Sequence, residues 1–113
     1  MVKKYIPHQG DIIYLNLSPT KGHEQSGKRP AIVISTNIFN ENINMIIVCP
    51  ITSNDKYFPT HYLLEDTKKI KGSVLCEHIR SIDFENRKVK LVEKASDNDL
   101  ISVISLINAC IEE

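Results

Sequence analysis

The chain has 113 residues, 42% of them hydrophobic, and its 14 basic and 14 acidic residues give a formal net charge of zero. This length predicts a single domain over residues 1–113, and the apolar content excludes a wholly disordered chain. No apolar run approaches the roughly 20 residues that span a bilayer, and the N-terminus lacks a signal-peptide pattern. We therefore expect a cytoplasmic protein without a membrane segment.

Apolar patterning predicts six strands. The first alternates, with Ile13, Leu15 and Leu17 on one face, whereas the third is apolar throughout, as in a strand buried on both faces. The predicted strands cover residues 11–17, 30–35, 45–51, 61–65, 73–78 and 88–94; residues 37–44 and 52–60 are predicted loops, and 66–72 a basic turn. Short connections favour an antiparallel sheet. The predicted fold class is mainly β, a small twisted antiparallel sheet or barrel with a C-terminal helix.

The helix is predicted over residues 96–111. Ser96 is a typical N-cap residue, and Asp99 follows three positions later, as in a shortened capping box. Apolar residues recur at three- and four-residue spacing, which predicts a stripe that docks on the sheet or on a second subunit. The stripe consists of Leu100, Val103, Ile104, Ile107, Cys110 and Ile111.

Neither the cysteines nor the histidines form a metal-binding pattern. Each cysteine lies in an apolar run, which predicts buried structural thiols, and the histidines lack i,i+4 spacing. The residues concerned are Cys49, Cys76, Cys110, His8, His23, His61 and His78. We expect neither a metal nor another cofactor.

Charge is distributed unevenly along this neutral chain. Residues 1–30 and 67–94 carry net charges of +3 and +4, whereas residues 31–66 and 95–113 carry −3 and −4. The positive segments suit a polyanion, and ordinary solvated charges are an equally good interpretation of the same pattern.

The segment 19–30 is longer than a turn requires. A hairpin needs two to five connecting residues, whereas this segment also holds a carboxylate, an imidazole, an amide, two lysines and an arginine. A connection so rich in hydrogen-bonding groups favours a binding function.

Two residues of this segment and one residue after the third predicted strand form a set of side chains suited to binding and cleaving a phosphodiester. Arg29 offers a planar fork of donors to phosphate oxygens, Thr52 adds a hydroxyl, and Glu24 can take a proton. In RNA the 2′-hydroxyl is a built-in nucleophile, so its attack needs neither a metal nor an external water. The alternative is structural, with Glu24 and Arg29 as a salt bridge and Thr52 as a strand cap.

Several motifs resemble those of the MazF/PemK family, toxins of bacterial toxin–antitoxin pairs. The resemblance covers about residues 5–111, and its most specific part is the Glu-Gln-x-Gly-x-Arg-Pro block combined with Pro-Ile-Thr. The matching motifs are Gly10-Asp11-Ile12, residues 19–35, Cys49-Pro50-Ile51-Thr52, Gly72-Ser73-Val74-Leu75 and Glu77-His78-Ile79-Arg80-Ser81-Ile82-Asp83.

This resemblance implies an SH3-like barrel of the MazF/CcdB/Kid type that works as a homodimer. The implied activity is a sequence-specific, ribosome-independent endoribonuclease that cuts single-stranded mRNA and leaves 2′,3′-cyclic phosphate and 5′-hydroxyl ends. Carried over by motif, Arg29 clamps the phosphate and protonates the leaving oxygen, Glu24 is the base or its electrostatic partner, and Thr52 binds the scissile phosphate. Because arginine is a poor proton donor at neutral pH, the acid–base assignment stays open.

The resemblance also implies a set of RNA-binding residues. Tyr57 or Phe58 is placed to stack on an unpaired base, or else to pack against its own loop. Relatives commonly carry glutamine at the position of His78, so a histidine there predicts a changed base preference or a titratable group. The RNA-binding set is Lys21, Gln25, Lys28, Ser53, Lys56, Tyr57 and His78.

The implied partner is a small MazE-like antitoxin whose acidic or hydrophobic tail covers the toxin dimer and blocks RNA. One alternative is a non-enzymatic, CcdB-like toxin that binds and poisons DNA gyrase. Those toxins act through C-terminal residues that include a terminal tryptophan, whereas this chain has no tryptophan. Another is a relative without catalysis, against which the intact Glu24, Arg29 and Thr52 argue.

Overall fold

The computed structural model describes residues 4–17, 28–54 and 57–112, and these ranges hold seven strands, two α-helices and two 3₁₀ turns. The strands are β1 Asp11–Asn16, β2 Lys28–Val33, β3 Ile46–Thr52, β4 His61–Leu63, β5 Ser73–Leu75, β6 Arg80–Ile82 and β7 Lys90–Lys94. The helices are α1 Asn37–Ile43 and α2 Asp97–Ile111, and the 3₁₀ turns are Cys76–His78 and Phe84–Asn86. In the described ranges, no helix is long and apolar enough to cross a membrane.

All the strand pairs are antiparallel, and β3 is the centre of the sheet. The strand order is β4-β5-β3-β2-β1-β7, and β6 also pairs with β3. Along one edge of β3, its first half pairs with β6, up to Val48↔Arg80, and its second half pairs with β5, from Ile51↔Val74. Pro50, which has no N–H to donate, lies in the interval between these two ladders. The predicted mainly β, antiparallel fold with a C-terminal helix is confirmed.

The sheet separates two apolar cores. The helix core includes Ile12, Ile32 and Ile51 from the strands and is covered by Val103 and Ile107 of α2. The open core lies on the other face of the sheet. It is formed by the strand residues that alternate with those of the helix core, and Tyr5 and Ile6 pack against it. Its buried members are Ile13, Leu15, Leu17, Ala31, Val33, Ile46, Val48, Ile82 and Phe84. The alternation predicted for β1 therefore places successive residues in different cores.

The loop predicted for residues 37–44 is wrong, because α1 occupies that segment. Thr36 caps the helix by accepting the N–H of Phe39 at 3.2 Å, and Asn44 ends it in the left-handed conformation at φ 58°. Asn40 is fully buried and anchors the helix, since its Nδ2 donates to the carbonyl of Pro7 at 2.8 Å and its Oδ1 accepts from the Ser35 hydroxyl at 2.5 Å. The asparagines that suggested a loop thus serve as a cap and a buried anchor.

Three further predictions need correction. The predicted strand 73–78 ends at Leu75, and the chain then forms the 3₁₀ turn before β6, a strand that the sequence analysis did not predict. Cys49 and Cys76 are buried as predicted, but Cys110 is exposed. The apolar stripe of α2 is likewise buried only in part, since Ile111 at its end is 69% exposed.

The start of α2 is fixed as its sequence predicts, with one difference. The Ser96 hydroxyl accepts the N–H of Asp99 at 3.0 Å. The Asp99 carboxylate, however, accepts the Tyr62 hydroxyl at 2.7 Å and the backbone N–H groups of Glu65 and Asp66. This fully buried carboxylate therefore ties the helix to the loop after β4.

Candidate active site

Arg29 and Thr52 lie on the neighbouring strands β2 and β3, near the same end of the ladder that joins them. The register of β2 on β3 pairs Ala31 with Pro50 and Val33 with Val48, and Arg29 and Thr52 each lie two residues beyond the last pair of this ladder. By alternation, both belong to the face that carries the open core. The two side chains therefore belong to one end of the sheet, where β2 and β3 leave their shared ladder.

Thr52 is held tightly from both sides. It is 9% exposed, and its Oγ1 accepts the N–H of Asn54 at 3.2 Å. On its β5 side, Thr52 pairs with Ser73, and Gly72 packs directly on its backbone. A Cβ at Gly72 would lie 2.2 Å from the Thr52 carbonyl oxygen, and the φ of Gly72 is +140°. Only glycine fits this approach without displacing Thr52.

The end of β1 is anchored on the same face. Arg80 Nη1 donates to the carbonyl of Leu17 at 3.1 Å, and Arg80 pairs with Val48 of the open core. Arg80 therefore anchors the chain at Leu17, the residue directly after β1. Four predicted site residues lie outside the described residues: Lys21, Glu24, Gln25 and Lys56.

His78 belongs to a small cluster in the 3₁₀ turn beside β3. Its Nε2 lies 3.7 Å from Glu77 Oε2, which also contacts His61 Nε2 at 2.7 Å, and Glu77 Oε1 accepts the Thr60 hydroxyl at 2.7 Å. Burial alone would raise the pKa of Glu77, but its hydrogen bonds from Thr60, its own backbone and His61 outweigh burial, so the pKa lies below its ordinary value. The cluster thus presents a carboxylate that stays ionised.

Phe58 lies beside this cluster, and neither Tyr57 nor Phe58 lines the clefts described below. Tyr57 is 86% exposed, and the Phe58 ring lies 5.5 Å from the ring of His61. Tyr57 is therefore accessible for stacking on a base, whereas Phe58 already has an aromatic neighbour.

A first cleft, of about 350 Å³, lies at the ends of β2 and β3. It brings together three predicted site residues, Lys28, Arg29 and Ser53, with the turn after β4. Its walls are Tyr14, Lys28, Arg29, Pro30, Ile51, Ser53, Lys69, Ile70 and Lys71.

Glu93 shapes the turn that supplies the lysines of the first cleft. Its carboxylate accepts the backbone N–H groups of residues 68, 69 and 70 at 3.0, 2.9 and 2.7 Å. Although burial acts to raise the pKa of Glu93, these three bonds lower it below its ordinary value. Ionised Glu93 therefore holds Lys69 and Lys71 at the cleft.

A second cleft, also of about 350 Å³, adjoins the first through Tyr14 and Lys28. It lies between β1 and the segment before β7. Its walls are Tyr14, Leu15, Asn16, Lys28, Asn86, Arg87, Lys88 and Lys90. Of these residues, sequence analysis assigned a binding role only to Lys28, although the net charge of +4 over residues 67–94 was a signal for Arg87, Lys88 and Lys90.

Among the residues in the described ranges, no group of three or more His, Cys, Asp or Glu side chains is placed to hold a metal ion.

Comparison with known proteins places the chain in a family. The family described as PemK-like, MazF-like toxin of type II toxin–antitoxin system matches residues 8–111. The chain belongs to this toxin family. It is 32% identical over 111 residues to the endoribonuclease toxin MazF of Escherichia coli K12, which covers 98% of this chain and 99% of that protein.

Solved structures of MazF proteins have the same fold. The crystal structure of MazF from Deinococcus radiodurans superposes with a TM-score of 0.91 at 32% identity and covers 97% of this chain and 100% of that one. A MazE–MazF complex from the same organism gives 0.83 at 28% identity, covering 96% and 98%. The predicted MazF/PemK resemblance is confirmed, the relatives support endoribonuclease activity, and the gyrase-poisoning alternative is not favoured.

Proposed function

We propose that this MazF-like toxin is a metal-independent, ribosome-independent endoribonuclease that cuts single-stranded mRNA at specific short sequences. The observation that carries the proposal is the position of Arg29 and Thr52 at the same end of the β2–β3 ladder, with Thr52 fixed by Gly72. A guanidinium and a hydroxyl at one sheet end suit the non-bridging oxygens of a phosphodiester.

The chemistry is an internal transesterification. The RNA 2′-oxygen forms a bond to the adjacent phosphorus while the bond from phosphorus to the 5′-oxygen breaks, which leaves a 2′,3′-cyclic phosphate and a 5′-hydroxyl. Glu24 takes the 2′-hydroxyl proton and later releases it to solvent, and the leaving 5′-oxygen receives a proton from Arg29, which solvent then reprotonates, or from a solvent water beside Arg29. Arg29 and Thr52 stabilise the charge that builds on the phosphate oxygens. Since the nucleophile belongs to the substrate, the reaction uses no metal-bound water.

RNA recognition is assigned to the polar residues around this pair. Lys28 and Ser53 line the first cleft beside Arg29, and Tyr57 offers an exposed ring for stacking on a base. His78 is assigned to base recognition, since the family resemblance implies a base-contacting glutamine at its position. Lys21, Gln25 and Lys56 complete the proposed set from the flanking loops.

The decisive experiment is incubation of a long single-stranded RNA with purified protein in EDTA, with the ends mapped by primer extension. Discrete cuts with 5′-hydroxyl ends are expected. Arg29→Ala should lower the rate on the order of 100- to 1,000-fold, as the loss of one donor to a developing oxyanion does, and Thr52→Ser should retain more activity than Thr52→Ala. A folded wild-type protein that makes no cuts would overturn the proposal.

We also propose a homodimer held inactive by a MazE-like antitoxin. Exposed apolar side chains near β4, Phe58 at 54% and Leu63 at 65%, offer a surface for a second copy. The relative from Deinococcus radiodurans forms a MazE–MazF complex, which supports an antitoxin partner. Light scattering should report twice the chain mass of 12.9 kDa. A tail peptide of the antitoxin should abolish RNA cleavage, and undiminished cleavage would contradict the antitoxin mechanism.

A further inference from the structure

A second arginine, Arg80, lies on the sheet face that carries the proposed catalytic pair. Arg80 pairs with Val48, a buried residue of the open core. Two positions further along β6, Ile82 pairs with Ile46, and both of these residues belong to the same core. Residues directly opposite each other in an antiparallel ladder share a face, so the Arg80 side chain leaves β6 on the open-core side.

The Arg80 guanidinium is bonded to the chain at the sheet end that carries Arg29. Arg29 pairs with Leu15 of β1, which is buried in the open core. Leu17 is buried in the same core, and its carbonyl accepts Arg80 Nη1 at 3.1 Å. Two residues of chain span at most about 7 Å, so this anchored carbonyl is close to the Leu15–Arg29 pair.

The bond from Arg80 to Leu17 requires a curved sheet. β3 and β2 lie between β6 and β1, and at about 4.8 Å between neighbouring strands a flat sheet would hold β6 and β1 about 14 Å apart. An arginine side chain is shorter than that distance, so the end of β1 must curve over the open core towards β6. This curvature turns the Arg80 guanidinium towards the strands that carry Arg29 and Thr52.

The guanidinium of Arg80 has hydrogen-bonding capacity left for an anion. It has five N–H donors, and its bond to Leu17 is the one that it makes to the residues that the structure describes. The acids nearest to it in sequence are engaged elsewhere, since Glu77 contacts two histidines and Asp83 accepts from the 3₁₀ turn that follows it. A planar fork of donors on a half-buried side chain suits the paired oxygens of a phosphate.

We propose that Arg80 is a further phosphate-binding residue, which holds the RNA phosphate next to the scissile one while Arg29 and Thr52 act on the scissile phosphate. β2 and β6 are separated by β3, which places the two arginines on strands about 10 Å apart and suits two successive phosphates rather than one. The Leu17 carbonyl orients the guanidinium before RNA binds. This inference rests on the proposed endoribonuclease activity and extends it to a neighbouring nucleotide.

The test is fluorescence anisotropy with a labelled single-stranded RNA that carries a mapped cleavage site and a 2′-O-methyl group at the cut nucleotide. The methyl group removes the nucleophile, so Kd is measured without cleavage. Arg80→Gln keeps an amide N–H for the Leu17 carbonyl but removes the charge. Lys94→Gln is the matched control, because it removes one charge from an exposed residue that pairs with Asp11 at the opposite end of β1.

We expect Arg80→Gln to weaken Kd on the order of 10- to 100-fold near 0.1 M salt, the value of one hydrogen-bonded charge, and to reduce the slope of log K against log salt by about 0.7. Lys94→Gln should stay within about threefold of wild type, since charges more than about 10 Å away are screened at this salt. Equal Kd values for the two variants would overturn the proposal. A weaker Kd with the wild-type salt slope would also overturn it, because a purely structural anchor of Leu17 would give that result.

Methylphosphonates in the RNA supply the second arm. Neutralising one phosphate at a time should reveal a position beside the scissile phosphate that weakens binding by wild type but not by Arg80→Gln, and additive losses at every position would refute the contact. If Arg80→Gln does not fold, Arg80→Lys takes its place. Lysine keeps the charge without the fork, so a several-fold weaker Kd with the wild-type slope is expected, and an unchanged Kd would overturn the proposal.

The two proposals fail in different ways. A wild-type protein that makes no cuts in a long transcript would overturn the proposed function and this inference together. A wild-type protein that cuts RNA, with Arg80→Gln binding the methylated RNA as tightly as wild type, would overturn the role of Arg80 alone.

Discussion

Replacing Gly72 with alanine should disable catalysis through the position of Thr52. The added Cβ would meet the Thr52 carbonyl oxygen at 2.2 Å and its carbonyl carbon at 2.8 Å, whereas an ordinary contact is at least 3.4 Å. Backbone atoms cannot rotate away, so the end of β3 and the start of β5 must separate by about 1.2 Å, the difference between 3.4 and 2.2 Å. A misplacement of about 1 Å costs about 100-fold in rate, and we expect kcat/KM to fall by that order.

Gly10→Ala is the matched control for this change. Gly10 also has a positive φ, +90°, so alanine there incurs a similar backbone strain of roughly 1–3 kcal/mol. Its added Cβ, however, would meet only the flexible Leu100 Cδ2 at 3.3 Å, on the helix side of the sheet. Gly10→Ala should therefore lose stability and keep its activity.

The assay is RNA cleavage at a temperature at which the folded fraction of both variants, taken from thermal unfolding curves, is known. Rates are compared per folded molecule. If Gly72→Ala cleaves RNA within about threefold of Gly10→Ala, the 1 Å sensitivity on which the estimate rests is refuted.

Three further outcomes are expected from buried and charged groups. Because the pKa of Glu93 is lower in the folded state, its ionised carboxylate stabilises the fold above the unfolded-state pKa of about 4.3. The difference in Tm between wild type and Glu93→Gln should therefore stay constant from neutral pH to about 5 and vanish in acid. A Tm difference that persists in acid would contradict this role of Glu93. Asn40→Ala should lower the free energy of unfolding by about 1–3 kcal/mol in urea titration, whereas the exposed Asn42→Ala should change it by less than about 0.5. Iodoacetamide should alkylate Cys110 first in the native protein, and rapid labelling of the two buried thiols would contradict their burial and raised pKa.

Local patterns were sufficient to predict most of the sheet and the last helix. The alternation of β1 separates Ile12 from Ile13, and the structure places these in different cores. The apolar run of β3 and the Ser96 cap are also local signals, since each depends on residues close in sequence. Helix α1 was missed because its asparagines are stabilised by distant partners, such as the bond of Asn40 to the Pro7 carbonyl.

The candidate site was predictable only in part. Arg29 and Thr52 were chosen for their chemistry, and the three paired residues of β2 and β3 bring both to the same end of the sheet. The contact of Gly72 with Thr52 and the two clefts join residues far apart in sequence, so they needed the tertiary structure. Only the excess of positive charge in residues 67–94 was visible beforehand.

The two cores become complete at different moments of chain synthesis. The open core draws its members, and the residues packed on it, from residues 5–89, whereas the helix core needs Val103 and Ile107 near the C-terminus. The chain emerges N-terminus first. All residues of the open core, on the face of Arg29 and Thr52, are therefore synthesised before α2, which covers the helix core on the other face of the same strands. The strands that carry the proposed catalytic pair are therefore synthesised before the helix that completes their second core.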